Sequence, residues 1–492
     1  MSALEDLSRD ELIVLARAQA ERIAEQDARI AELTDRLARL EHLLSRNSSN
    51  SSLSPSRDDD AGRTPPRPRS GGGSKRSRGK QPGAPGVNLT WREVPDERRD
   101  RFPEGSCGCG ADLTAGRDLG VVDRYQQHEI PLVAVRVTQY DQHAVACRCG
   151  IVHTATRPEG SRSGPVGYGP NLQAWCVYLM VVHFVPVQRC RQLVESLTGT
   201  APSVGFVHGM LTRAAVLLDE ADKRIRALLT AACVVCADET PLRVGPAAAP
   251  AGRKKAVRYL LVACTRWVTH YLVGGRDLDT FKAMVIADMA AGSVIVHDRY
   301  QNYDAGPFAH LLHQLCCAHL LRDLAGAGEV YPGEHWPAQI ADALRGLIHQ
   351  ANLARDAGAT TIGQTVTDDL VRLFRQGVLV GLKATDAHGS RPGERKARLL
   401  LETLHDRQAD VLRFTTDLRI PATSNQAERD LRPAKIQQNI SGRLTSEDRT
   451  RDRYKILGYV STAAKHGLNQ MTVLRDVFLG RLWIPDPTPA TG

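Results

Sequence analysis

A chain of 492 residues, 42% of them apolar, is long enough for roughly three domains with real cores. Its net charge of +9 and pI near 9.0 fit an anionic partner such as nucleic acid. No run of eighteen apolar residues occurs, so no membrane-spanning helix is expected. The start, MSALEDLSRDEL, has neither a basic n-region nor an apolar h-region, and secretion is not expected. Of the eleven cysteines, most of those outside two close pairs sit in apolar runs, which suits a reducing compartment.

Residues 1–46 read as one long helix. Ser8 and Glu11 make a capping box ahead of the apolar run that begins at Leu12. Ile23, Ile30, Leu37 and Leu44 then recur at heptad spacing, with Leu33 and Leu40 between them. The pattern predicts a short coiled coil and a homodimer; an amphipathic helix packed on its own protein is the other reading. Residues 47–95 read as a disordered linker, because NSSNSSLSPS is too polar to bury and Pro, Gly and Ser follow. Arg63, Arg67, Arg69, Lys75, Arg76, Arg78 and Lys80 form a basic arm without an acid, suited to phosphate contact.

In the segment 96–160, Cys107-Gly-Cys109-Gly110 is matched by Cys147-Arg-Cys149-Gly150. Two such pairs predict a structural zinc site, Cys107, Cys109, Cys147 and Cys149, in a zinc-ribbon-like segment of a few strands, one of them near 131–137. One residue rather than two separates each pair, which gives a tighter bite; free thiols or disulfides are the alternative. Residues 165–228 turn helical. A helix over 187–197 stopped at Gly199, then a second one capped by Ser203 with Val204, Val207, Met210 and Leu211 inward, is a helix-turn-helix-like pattern. Plain helical packing explains it equally well.

From 230 to 328 the pattern changes again. CVVCADET predicts a strand buried on both faces and ending at Asp238. A hairpin over 259–264 and 267–273, a helix over 278–289, a second buried strand delivering Asp298, and a short strand at 315–318 follow. Strand order and acids together predict an α/β ribonuclease-H-like catalytic domain, in which the first and fourth strands are neighbours and Asp238 meets Asp298. Paired carboxylates repel and call for a cation, and hard oxygens suit Mg2+ or Mn2+. Cys316, Cys317 and His319 lack a fourth nearby ligand, so they read as a buried strand end, with His319 and Arg322 lining the site.

The third acid comes late. Residues 423–442, TSNQAERDLRPAKIQQNISG, open with three capping residues, Thr423, Ser424 and Asn425. Glu428, Arg432 and Lys435 then share one helical face, and Pro433 is expected to kink the helix. By itself this is a capped surface helix with a Glu428–Arg432 pair. Read with the two aspartates, Glu428 completes a two-metal carboxylate site. The stretch between Asp298 and Glu428 is too long for a minimal domain, and helices expected over 337–357, 365–382 and 394–413 make 329–415 an α-helical insertion. Residues 416–470 return to the catalytic domain, and 471–492 read as a C-terminal tail.

These blocks carry a resemblance. ADETPLRV, HDRYQNYD, CCAHLLRDL and SNQAERDLRPAK, with the coiled coil, the NSSNSS linker, GKQPGAPG and the paired cysteines, resemble the transposases of the insertion sequence 66 family. Those are bacterial DDE enzymes. The resemblance implies Asp238, Asp298 and Glu428 as a catalytic triad holding a pair of Mg2+ or Mn2+ ions. It also implies a basic residue two turns past the glutamate, a position Lys435 occupies. Arg429, Arg432, Arg322 and His319 join Lys435 as the residues expected to meet DNA. The partners implied are the element's terminal inverted repeats and target DNA in a bacterial cytoplasm, at the nucleoid, with small accessory proteins left open. The activity implied is strand cleavage and 3′-hydroxyl strand transfer. A catalytically idle, transposase-derived DNA-binding protein or regulator is the alternative.

Overall fold

A computed structural model describes residues 9–47, 49–51, 58, 64, 89–131, 133–160, 164–245, 257–385, 392–441 and 444–486. The chain divides into two compact units, residues 68–136 and the remainder, 1–67 with 137–492. Within the smaller unit the described residues contain no strand; they include a 3-10 turn at Leu113–Ala115 and a reciprocal Arg92–Gln126 pair of hydrogen bonds. The strand expected near 131–137 is absent among the described residues.

The larger unit opens with helix α1 (Arg9–Ser45), whose Ile23, Ile30, Leu33, Leu37, Leu40 and Leu44 are all exposed. Ser8 of the expected capping box and all seven residues of the basic arm lie outside the described residues. A small hairpin, β1 (Ala144–Ala146) and β2 (Val152–Thr154), precedes four helices, α2 (Pro170–Val181), α3 (Val187–Thr198), α4 (Val204–Leu217) and α5 (Asp219–Thr230). Gly199 ends α3 at φ +71°, a left-handed position that glycine adopts without strain. The Ser203 hydroxyl accepts from the Phe206 N–H and starts α4. Val207, Met210, Leu211, Ala214 and Ala215 of α4 are buried, while Val204 is exposed.

One mixed sheet follows, built of β3 (Val234–Arg243), β4 (Val257–Cys264), β5 (Thr269–Gly274), β6 (Val294–His297) and β7 (Leu312–Leu315). Its order is β5-β4-β3-β6-β7; β4 runs antiparallel to its neighbours β3 and β5, and β6 and β7 run parallel to β3. β3 does not stop at Asp238. It runs on to Arg243 because β4 pairs with it as far as Arg243↔Val257. The helix expected over 278–289 breaks into α6 (Leu278–Lys282) and a 3-10 turn at Val285–Asp288. Phe281, Met284, Val285 and Ile286 are all buried, more than one face of a continuous helix could deliver to a core. Likewise CCAH is not a strand. Cys316 caps helix α7 (Cys317–Val330), which starts directly after β7.

Helices α8 (Trp336–Asp356), α9 (Gln364–Ala384) and α10 (Pro392–Asp406), with short α11 (Gln408–Leu412), fill the long stretch before α12 (Asn425–Ile440). α12 continues through Pro433. The chain closes with α13 (Glu447–Lys465) and α14 (Gln470–Phe478). The expected tail is therefore partly core: Val473, Leu474, Val477 and Phe478 are buried. One apolar cluster joins α2–α4, α13, α14, the helices from α7 to α12 and one face of the sheet; a second, with Phe281 and Tyr303, covers the other face.

NSSNSS departs from its expected role as well. Asn47, Asn50 and Ser51 are buried. The Asn47 N–H donates to Asn50 Oδ1 at 2.8 Å, the Ser51 hydroxyl to the Asn47 carbonyl at 2.6 Å, and Asn50 Nδ2 to Glu329 on α7 at 2.6 Å. Polar groups that satisfy one another can be buried where composition alone argues otherwise. Gly326 of α7 allows the approach, since a Cβ there would stand 2.5 Å from the Asn50 carbonyl.

Candidate active site

Strand alternation sorts the acids. Cys236 and Leu242 of β3 face the large helical cluster, whereas Val235 and Ala237 face the smaller one. Asp238 has the parity of Cys236, and Glu239 that of Ala237. Parallel pairing of β3 with β6 ends at Cys236↔Val296, and Asp238 and Asp298 each lie two residues further on. The two aspartates are thus brought together just past the carboxyl end of the parallel pairing, Asp238 within β3 and Asp298 directly after β6. Each is held locally: Asp238 Oδ1 accepts the Glu239 N–H at 2.8 Å, and Asp298 Oδ1 the Tyr300 N–H at 2.9 Å.

Glu428 sits in the first turn of α12, half-buried. Its partners are Arg322 at 3.1 Å and His319 Nε2 at 3.8 Å, both on α7, rather than Arg432. α12 is fixed two residues further on. The Asp430 carboxylate accepts from Lys465 Nζ and from the Thr269 hydroxyl, both at 2.8 Å, and its carbonyl accepts the Tyr271 hydroxyl at 2.5 Å. Ser424 contributes its backbone N–H to Cys316 Sγ at 3.2 Å, while its own hydroxyl has no partner among the described residues.

The charges fall into two groups. Burial, with Glu239 and Asp298 nearby, raises the Asp238 carboxyl well above its usual range. Glu239, 2% exposed, is pushed up to about 7 by burial and Asp298, against the opposing pull of Arg276, which it binds at 2.6 Å. The Tyr303 hydroxyl donates to the other Glu239 oxygen at 3.1 Å, and Arg276 lies 3.7 Å over the Tyr300 ring. On the α7 side, burial acts to lower His319, but the neighbouring Cys316 sulfur prevails and raises it to about 9. His319 in turn lowers the Cys316 thiol against the effect of burial. Glu428 is thereby flanked by two cations, while Asp238 and Glu239 crowd Asp298. Among the described residues no triple formed by Asp238, Asp298 and Glu428 has its oxygens within 4.8 Å of one another. The aspartates are a ready pair of hard donors for a divalent ion, and Glu428 is tied to α7.

Of the residues expected to meet DNA, His319 and Arg322 are on α7 against Glu428, Arg429 and Arg432 are exposed on α12, and Lys435 is half-buried. Arg429, Arg432 and Lys435 make no ion pair among the described residues. Sequence reasoning missed Glu239, Arg276, Tyr303, Asp430 and Lys465. It also missed buried Asp323 of α7, which binds Arg299, next to Asp298, and Lys396 of α10 at 2.6 Å. Glu239 stood in plain view beside Asp238; the partners of Asp430 and Asp323 are distant in sequence and left no local signal.

The cysteine pairs, each taken in its own unit, form like turns. The Cys107 N–H donates to the Ala111 carbonyl at 2.8 Å and Gly110 lies at φ +86°; the Cys147 N–H donates to the Ile151 carbonyl at 2.8 Å and Gly150 lies at φ +88°. All four thiols are exposed. Hydrogen bonds from Cys109 and Cys149 lower Cys107 and Cys147, the direction that favours the metal-binding thiolate.

A raised carboxyl stabilises the fold only while it stays protonated. The Glu239 contribution is fully present below its ordinary value of 4.5 and is lost as pH rises through about 7. In chelator, the stability of the wild-type protein relative to Glu239→Gln is therefore expected to fall by on the order of 3 kcal/mol between pH 4.5 and 8. Urea unfolding of both proteins across that range reads it directly, and parallel curves would remove Glu239 from the charged cluster.

Residues 166–451 match the family model described as Transposase IS66 family, and residues 4–90 match a family of unknown function. No curated protein matches the chain. Among solved structures, the Drosophila P element transposase strand transfer complex is similar at 10% identity and TM-score 0.28, over 61% of this chain and 93% of that one. The Mos1 strand transfer complex is similar at 11% identity and TM-score 0.14, over 52% and 82%. Overlaps this low leave the family match alone to carry weight. No helix among the described residues is long and apolar enough to cross a membrane.

Proposed function

The chain belongs to the IS66 family of transposases, and on that premise we propose that it cuts DNA at the ends of an insertion element and joins the freed 3′-hydroxyl to target DNA. The observation that supports this most is the closeness of Asp238, within β3, to Asp298, directly after β6. The strand order β5-β4-β3-β6-β7 is read as ribonuclease-H-like, with α12 supplying Glu428 as the third acid. Two crowded carboxylates, one with a raised pKa, fit a divalent cation such as Mg2+ or Mn2+. When bound, such ions supply Lewis-acid activation of the attacking oxygen and neutralise charge on the phosphate.

The chain's own residues do the rest. Asp238 and Asp298 fix the donor oxygens through the backbone N–H groups they accept. Glu428 joins them by giving up its hold on Arg322, which frees a guanidinium beside the site for a phosphate oxygen. Exposed Arg429 and Arg432, with Lys435, extend the cationic face along α12 toward the DNA backbone. Incubating the full-length protein with duplex carrying the element's ends, in Mg2+ or Mn2+, should yield nicked ends and joined products. DNA bound without any cleavage would instead favour the idle, DNA-binding reading.

We also read α1 as the dimer element, since its heptad residues are exposed along the whole helix, and zinc as the ligand of the two cysteine turns. Light scattering on a chain lacking residues 1–46 should give a monomer, and metal analysis should find zinc that is lost when Cys147 and Cys149 become Ser. A dimeric truncated chain or a zinc-free wild type would overturn the respective assignment.

A further inference from the structure

On the sheet face opposite Glu428, three potential ligands converge that the carboxylate site does not use. His297 is the last residue of β6 and, having the parity of Ile295, points toward the smaller apolar cluster. Its Nε2 lies 3.0 Å from Nδ1 of His313 on neighbouring β7. Asp304, at the end of a 3-10 turn, places Oδ1 3.9 Å from the same His313 nitrogen. One atom from each of the three lies within 4.8 Å of the others. Neighbouring ligands of a tetrahedral ion bound at about 2.0–2.1 Å stand a little over 3 Å apart, so the two imidazoles are already at ligand spacing and Asp304 has a short way to close.

We propose that His297, Asp304 and His313 form a second, nitrogen-containing metal site that takes Zn2+ or a neighbouring first-row transition ion. Two imidazoles and one carboxylate are a donor set for such ions and a poor one for Mg2+. Arg407 binds Asp304 through both carboxylate oxygens at 2.9 Å, which orients the carboxylate as an outer partner does in metal sites. Each oxygen retains a second lone pair for the ion. Bound there, the ion would clamp the turn of Asp304 and the edge strand β7 to β6, whose next residue is Asp298.

The test uses full-length protein, stripped with chelator, with Mg2+ in excess to fill the carboxylate site, and Co2+ as the probe. The wild type is expected to show visible ligand-field absorption of a tetrahedral ion that appears without the near-ultraviolet sulfur charge-transfer band of thiolate sites. His313→Gln and Asp304→Asn should each weaken that sulfur-free signal by at least ~10-fold in Co2+ affinity and leave any thiolate band unchanged. Circular dichroism checks that each variant is folded, and either one alone suffices. A wild type whose Co2+ absorption is wholly sulfur-linked, or folded variants that bind as the wild type does, would reduce the three residues to a cross-strand imidazole pair beside an Arg–Asp bridge.

Discussion

Asp238→Asn is expected to abolish strand cleavage and transfer, by at least about three orders of magnitude, while making the metal-free protein more stable. Both effects have one cause. The Asp238 carboxylate is buried and crowded by Glu239 and Asp298, so its charged form is disfavoured in the fold and its pKa rises. An amide keeps the hydrogen bond from the Glu239 N–H and removes the repulsion, which raises the melting temperature in chelator. The same amide is a weak ligand for a hard cation, so the stabilisation that Mg2+ or Mn2+ gives the wild type should disappear. Glu428→Gln should separate the two readouts. It too should lose transfer, but Glu428 is half-buried and paired with Arg322 and His319, so no gain of stability is expected. An Asp238→Asn protein that still cut DNA, or that melted lower in chelator than the wild type, would remove Asp238 from the site.

Asp430→Ala should cost about 3–5 kcal/mol of folding stability, because it strands the buried Lys465 ammonium. The pair is nearly dry, with side-chain exposures of 10% and 12%. Lys465 keeps two backbone carbonyls, of Thr265 at 2.8 Å and Val268 at 3.2 Å, but no counter-charge. The Thr269 hydroxyl and Gln426 Nε2 lose their acceptor in the same step. α12 then loses its side-chain ties to β5 and α13, keeping only the Tyr271 hydroxyl on the residue 430 carbonyl, so Glu428 is held less firmly and transfer should fall along with stability. The double variant Asp430→Ala, Lys465→Met should regain much of the stability, since an apolar replacement removes the unpaired charge. Urea denaturation of the three proteins is the measurement. A single Ala variant within about 1 kcal/mol of wild type would mean that packing, not this bridge, holds α12.

The order and kind of most elements were legible from residue patterns, because buried strands and capped helices announce themselves locally. CVVCADET and SVIVHD read as strands on the way to Asp238 and Asp298, and Gly199 and Ser203 marked the end of one helix and the start of the next. Errors fell where burial was decided from afar. β3 runs past Asp238 because β4 reaches alongside it, and the helix over 278–289 breaks because too many of its residues are drawn into one core. Asn47, Asn50 and Ser51 are buried because their polar groups are satisfied by one another and by Glu329 of α7.

The sequence by itself singled out three acids: Asp238 and Asp298, each following an apolar strand run, and Glu428 early in a late helix. Their chemistry is local, since strand period and helix caps are properties of a few consecutive residues. Tertiary structure alone decided what surrounds those acids. Glu239 is charged or neutral according to Arg276, Tyr303 and Asp298; Glu428 is tied to Arg322 and His319; Asp430 holds α12 through Lys465. Each of those partners lies far along the chain, and its effect depends on distance and on exclusion of water. Those quantities exist only once the sheet and its covering helices have come together.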